Sequence, residues 1–302
     1  MTLKLINDLT KKGLIHPPSF LKDTVQYLCI TGSIAYGVSS NITSDVDMYG
    51  YCIPPKSILF PHTAGYIVGL DKDIPTFSQW QEHGIKGNGK KYDFSVFSIL
   101  KYFCLVSDNN PNIIDTLFVP RNLIVHSSKV HELIRENRKL FLQKNSWHKF
   151  KGYAYSQLHK MRIKKPDPHS KRYESILEHG YDVKFAYHVV RLLNEIEQIL
   201  IEGNLDLQRN KEQLKAIRRG EWTQEQVIEY FNKKEMSLEE AYQKSSLPYK
   251  APMGKIKELY LNCLEIHFGS LNNAVERTRD IDDFISEMEL VIDKYRGLKG
   301  LV

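Results

Sequence analysis

Apolar positions along this chain change rhythm near its middle. In the first half they come in short, β-branched or aromatic runs. "TVQYLCI" (24–30) has a polar entry and stops at Thr31-Gly32, which predicts a strand. "VDMYGYCI" (46–53) predicts a second strand, closed by Pro54-Pro55. "SILFP" (57–61) and "GYIVGL" (65–70) predict a short hairpin or edge element, and the Gly/Lys-rich "HGIKGNGKK" (83–91) reads as a mobile loop. "YDFSVF" then starts as strand and passes into "SILKYFCLV", apolar on a helical repeat. "NNPN" (109–112) ends that helix, and Pro111 opens another, "IIDTLF". Asn109 or Asn110 is its natural cap, with Asp115 one turn in and better suited to the helix end than to catalysis.

The second half carries helical periodicity almost throughout: 128–144, 147–163, 182–203, 223–245 and 272–295, with Gly203 as a helix stop. No internal repeat is visible. The expected architecture is α/β (α+β): a small mixed-sheet module over residues 1–145, then a mostly helical domain over 146–302 that closes a cleft.

Composition narrows the class. Apolar residues at 42% and aromatic ones at 11% suffice for a proper core in a chain of 302 residues, which excludes a disordered chain. The net charge of +6 suits an anionic substrate such as a nucleotide or RNA without requiring one. Cys29, Cys52, Cys104 and Cys263 are far apart and sit in apolar surroundings, so they read as buried reduced thiols rather than zinc ligands or disulfides. No apolar run reaches the roughly 18 residues of a membrane span, and the start lacks a signal-peptide core. A cytoplasmic protein (host cytoplasm if viral), with no membrane partner, is expected.

The chemistry is carried by acids at strand starts. In a strand, Asp45 and Asp47 share a face while Val46 points the other way, with Cα atoms about 6.6 Å apart. Two carboxylates so placed can flank two divalent ions about 3.5–4 Å apart, and oxygen-only donors favour Mg²⁺, with Mn²⁺ able to substitute. Asp93, at the head of "YDFSVF", is the natural third carboxylate. Gly32-Ser33, directly after the first strand, lets a backbone turn and a hydroxyl cradle triphosphate oxygens. A lone D-x-D is ordinarily a solvated strand end, and G-S is a common turn dipeptide. The specific signal is their order: strand, G-S, ten to twelve residues, D-x-D opening a second strand, then an acid opening a later one.

Gly32, Ser33, Asp45 and Asp47 fit the G-S…D-x-D signature, and the chain thereby resembles the DNA polymerase β-like nucleotidyltransferase superfamily. The wider text is similar to one family within it, the predicted nucleotidyltransferases associated with RNA ligases in bacteria and phages. "ITGSIAYGVSSNITSDVDMYGYCIPP", "YDFSVFSILKYFCLVSDNNPNIIDTLF", "HGYDVKFAYHVVRLLNEIEQIL" and "LKAIRRGEW" carry that likeness. Ile34 stands where the family often has Arg, and Asp115 where it usually has Glu. The resemblance implies transfer of a nucleoside monophosphate from an NTP, ATP among the candidates, with two magnesium ions held by Asp45, Asp47 and Asp93. It also gives meaning to Lys184, His188 and Arg191, one stripe of a helix at i, i+4 and i+7. Lys184 and Arg191 are then expected to reach phosphate across the cleft, and His188 to bind there as hydrogen-bonder or proton carrier. The basic stretch 160–172 is either an exposed linker or a lip for a polyanion, with Tyr153 and Tyr155 available for stacking. An RNA hydroxyl is the first-choice acceptor. A protein side chain, as in AMPylation, is the second, and a catalytically idle nucleotide- or RNA-binding module is the alternative of another class.

Overall fold

The computed structural model describes residues 2–39, 45–163 and 171–275, together with Met288, Val291 and Ile292. The first half runs α1 (Thr2–Lys11), α2 (Leu21–Thr24), β1 (Val25–Ile30), α3 (Gly32–Ala35), β2 (Val46–Cys52), α4 (Lys56–Leu59), β3 (Gln79–Gly87), β4 (Lys90–Ser98), α5 (Ile99–Ser107), α6 (Pro111–Phe118), β5 (Ile124–Ser127) and α7 (Lys129–Glu136). It continues through α8 (Ser146–Ile163), α9 (Lys171–His179), α10 (Val183–Glu202), α11 (Lys211–Arg218), α12 (Gln224–Lys244), α13 (Met253–Phe268) and α14 (Leu271–Val275). The α/β expectation holds: a mixed sheet precedes a helical region.

The described strands form one sheet in the order β3-β4-β2-β1-β5. β2 and β4 are parallel, and every other neighbouring pair is antiparallel. The parallel register sets Val46 against Tyr92 and Asp47 against Asp93. Because side chains alternate across a strand, Asp47 and Asp93 emerge on one face of the sheet while their apolar neighbours Val46, Met48, Tyr92 and Phe94 are buried.

The sheet corrects two expectations. Residues 83–91 are not a loop: they complete β3, turn at Asn88-Gly89 (φ 49° and 73°) and enter β4. Asn-Gly tolerates positive φ at both central positions, so this is the turn a tight hairpin demands. β3 is an edge strand, mostly exposed, and its polar side chains guard the edge while hiding the usual alternation. Residues 57–70 do not pair as a hairpin either: α4 and a 3₁₀ turn (Pro61–Ala64) occupy the first part, and only a bridge between Val68 and Asp71 follows.

Helix ends follow local chemistry. Asp182 caps α10 by accepting N–H bonds from Lys184 and Phe185, and Gly203 closes it in the left-handed conformation. Thr223 and Gln226 form a capping box on α12. α10 is apolar on nearly all sides and is accordingly buried, packed on α8, α11 and α12. The helix expected over 128–144 is broken at Asn137, with a 3₁₀ turn (Arg138–Phe141) replacing its second half. Most of the helix expected over 272–295, and residues 164–170 of the basic stretch, lie outside the described residues. Cys29, Cys52 and Cys263 are buried free thiols held near pKa 12 by burial; Cys104 is exposed on α5, against expectation. No described helix is long and apolar enough to cross a membrane.

The core also stores a titratable liability. His131 of α7 is fully buried, its ring stacked at 3.4 Å on Tyr27 and its Nδ1 3.3 Å from the Tyr51 hydroxyl. Burial, then the nearby Arg135, holds its pKa well below the ordinary value. A base depressed in the folded state contributes stability that is intact above pH 6.5 and is lost as pH falls below it. Below pH 6.5 the chain should therefore lose about 1.4 kcal/mol per pH unit through this one group. His131→Phe, which keeps the stack but takes no proton, should flatten the fall in melting temperature between pH 7.5 and 5.

Candidate active site

Where β1 ends, the backbone turns into α3 through Gly32, at φ +65°. Thr31 binds the carbonyl of Asp47 through its N–H at 2.8 Å, which clamps this turn to the head of β2. A Cβ on Gly32 would stand 2.1 Å from Oδ2 of Asp47. Glycine is thus required twice over, for its dihedral and for the carboxylate lying against it. Gly32→Ala should cost about 1–2 kcal/mol in backbone strain, displace Asp47 and slow any chemistry there about a hundredfold. Activity alongside thermal unfolding separates the two effects.

Three carboxylates and the turn share one cleft of about 500 Å³, lined among others by Gly32, Ser33, Asp45, Asp47 and Asp93. Asp47 is partly buried, and its pKa is pushed up to about 6, first by burial and next by the charge of Asp93. Asp45, exposed just ahead of β2, holds Lys91 Nζ at 2.9 Å. Asp93 accepts the Gly84 N–H at 2.6 Å, and His83 Nδ1 lies 3.8 Å from the same oxygen.

The facing wall comes from α9, α10 and α11. Lys184, Tyr187 and His188 lie in the first turns of α10, Arg172 and Ser175 on α9, and Arg218 ends α11. Arg172 pairs with Asp182 at 2.6 Å and stacks on Phe185 at 3.9 Å; Arg218 stands over the Tyr187 ring at 5.2 Å. Among the described residues Lys184 and Arg218 have no carboxylate partner within ion-pair distance. The ammonium of Lys184 is pushed below its ordinary pKa by burial, then by Arg172 and Arg218. Crowded cations opposite crowded carboxylates make a site that an anion and a cation together would relax.

His188 lines this cleft and also a smaller recess of about 180 Å³ with Thr31, Tyr36, Asp47, Tyr49 and Asn112. Burial and the neighbouring Arg191 hold its pKa well below 6.5, so at pH 7 it presents a neutral imidazole. Arg191 does not reach the cleft, which corrects its expected place. It is 4% exposed, and its Nη1 binds Asp115 Oδ2 at 2.8 Å and both oxygens of Glu195 at 3.0 and 2.9 Å. Asp115 also accepts the Tyr36 hydroxyl at 2.6 Å, so it ties α3, α6 and α10 together rather than serving a helix end. Neither Asn109 nor Asn110 caps α6 by its side chain; Asn109 is buried at φ 52° and donates to the carbonyls of Val106, Ser107 and Phe141.

Arg172 and Arg218 are the site residues that sequence reasoning left without a nucleotide role. Arg172 closes the basic stretch and Arg218 sits inside "LKAIRRGEW", but nothing in their local pattern tells a cleft-facing arginine from a solvated one.

The donor set suits a hard cation: carboxylates and a hydroxyl, no thiol, beside a turn shaped to admit Asp47. Asp47, raised first by burial and next by the charge of Asp93, is a carboxylate that a bound cation would help to keep ionised. Among the described residues, however, no three His, Cys, Asp or Glu side chains already converge closely enough to clasp an ion. Asp45 holds Lys91 through one oxygen and Asp93 accepts the Gly84 N–H through one, so two of the three acids are engaged with protein partners rather than with one another.

A family model described as "RNA repair pathway DNA polymerase beta family" matches residues 16–249. Comparison with curated proteins gives no match. Among solved structures, a nucleotidyltransferase-like protein from Exiguobacterium sibiricum is similar at 7% identity and a TM-score of 0.27, covering 80% of this chain and 74% of its own.

Proposed function

This chain belongs to the RNA repair pathway DNA polymerase beta family and is a polymerase β-like nucleotidyltransferase; we propose that it transfers a nucleoside monophosphate from an NTP to a hydroxyl of RNA. The observation that carries the reading is the parallel pairing of β2 and β4, which brings Asp47 opposite Asp93 beside the Gly32 turn.

In this reading residues 1–145 supply the acidic wall and residues 146–302 the basic one. Asp45, Asp47 and Asp93 would hold two magnesium ions, and such ions, when bound, neutralise phosphate charge and lower the pKa of the attacking hydroxyl. Gly32 and Ser33 offer the triphosphate a close backbone and a hydroxyl. Lys184, with Arg172 and Arg218, holds its outer phosphates, and neutral His188 donates or accepts a hydrogen bond at the inner edge. Arg191 stands behind them as a structural member. The acceptor oxygen forms its bond to the α-phosphorus as the bond to the β-phosphate oxygen breaks. Pyrophosphate leaves with the electron pair, and the hydroxyl proton passes to solvent. RNA as acceptor draws on the family's RNA-repair context and on the basic wall.

The test is incubation with Mg²⁺ and each α-labelled NTP, alone, with total RNA and with lysate. Label in RNA is the expected result. Label in a protein band would move the acceptor to protein, and nucleotide binding with no label anywhere would leave only a sensor.

A further inference from the structure

The register that joins the acids also places a lysine among them. β4 reads Lys91-Tyr92-Asp93 against Asp45-Val46-Asp47 on the β2 side. Asp47 therefore faces Asp93, a like-charge pair that repels across the sheet, while Lys91 lies one step along on the same face and reaches Asp45 at 2.9 Å. Both partners of that contact are about half exposed. A solvated pair of this kind is weak, so it can be exchanged for a stronger cation. Among the described residues Lys91 makes the closest ion pair with the acidic trio, the other being the His83 ring 3.8 Å from Asp93. Among the described residues, Lys184 and Arg218 on the opposite wall form no ion pair with the three acids, although Lys184 is close enough to act on Asp47 through space.

We infer that Lys91 is the resident counter-ion of the acidic wall, occupying Asp45 until a divalent cation displaces it, and so sets how tightly that cation binds. The inference rests on the metal-dependent reading above and adds a positioning residue to it. It accounts for three carboxylates that share a cleft without converging: the hairpin that carries Asp93 also brings the charge that holds Asp45. Release of Asp45 then accompanies cation entry rather than preceding it.

The measurement is Mn²⁺ affinity, read by electron paramagnetic resonance of free Mn²⁺, on the whole protein without nucleotide. Lys91→Met removes the competing charge and should tighten Mn²⁺ binding about five- to tenfold. Lys91→Arg keeps the charge and should stay within about twofold of the parent. Asp47→Asn is the control and should bind at least about tenfold more weakly. Lys91→Met with unchanged or weaker affinity, while Asp47→Asn has lost binding, overturns the role of Lys91 and leaves the metal reading intact. Parent and Asp47→Asn binding Mn²⁺ alike overturns the metal reading, and the inference with it. Should Lys91→Met not fold, Lys91→Gln gives the same comparison.

Discussion

Asp47→Asn should abolish nucleotidyl transfer, by about a thousandfold or more, without lowering the melting temperature. Asparagine keeps the shape that fits against Gly32 but not the charge that a cation and a triphosphate exploit. Stability should move the other way. Burial and Asp93 raise the pKa of Asp47 to about 6, and an acid raised in the folded state contributes stability that is full below about pH 4 and lost as pH rises through 6. Near pH 7.5 the ionised carboxylate is therefore a burden of about 1–2 kcal/mol once solvent screening is allowed for. Its removal should raise the melting temperature by a few degrees in cation-free buffer, an advantage that shrinks toward pH 4. Magnesium should stabilise the parent and leave the variant unmoved. A variant that loses activity and stability together, at all pH values, would make Asp47 a structural residue only.

Much of this site could be read from residue order because its parts are local. The end of "TVQYLCI", the Gly32 turn and the acids at strand heads depend on period-two alternation and on one glycine, all visible within a few residues. Pairing between strands distant in sequence is less legible. The head of β4 is legible in "YDFSVF", but its hairpin partner β3 is not, since an exposed edge strand has little apolar alternation to show and the glycines at 84 and 87, with Gly89 of the turn, imitate a loop. β5 is four half-buried residues with too short a pattern to register. Lys184, His188 and Arg191 fall on one helix stripe by spacing, yet that stripe passes from the cleft at Lys184 into the core by Arg191. Two signals could have told them apart: Glu195 stands four residues after Arg191, and Asp115 lies in the apolar run "IIDTLF", where a buried acid needs a cation.

That pairing has the second large consequence. Among the described residues Arg191 is the cation bonded to the two buried carboxylates of Asp115 and Glu195, and truncating one partner of such a cluster strands the others. Arg191→Met should destabilise the fold by about 3–5 kcal/mol at pH 7.5, read by denaturant unfolding. The loss should depend on pH in a definite sense. Burial raises the pKa of both Asp115 and Glu195, with Arg191 opposing it. Without the guanidinium both acids rise further, so the variant is least impaired where they are protonated and worsens as pH climbs. The same change in an Asp115→Asn, Glu195→Gln background removes the stranded charges and should be nearly neutral, because a neutral cluster of similar volume replaces a buried ionic one. The alternative outcome is specific as well. If Arg191→Met unfolds like the parent but binds NTP about tenfold more weakly, Arg191 turns to phosphate when nucleotide arrives and the helix stripe acts as one unit. The buried network of Tyr36, Asp115 and Glu195 argues for the first result, since it holds the guanidinium on three carboxylate oxygens inside the core.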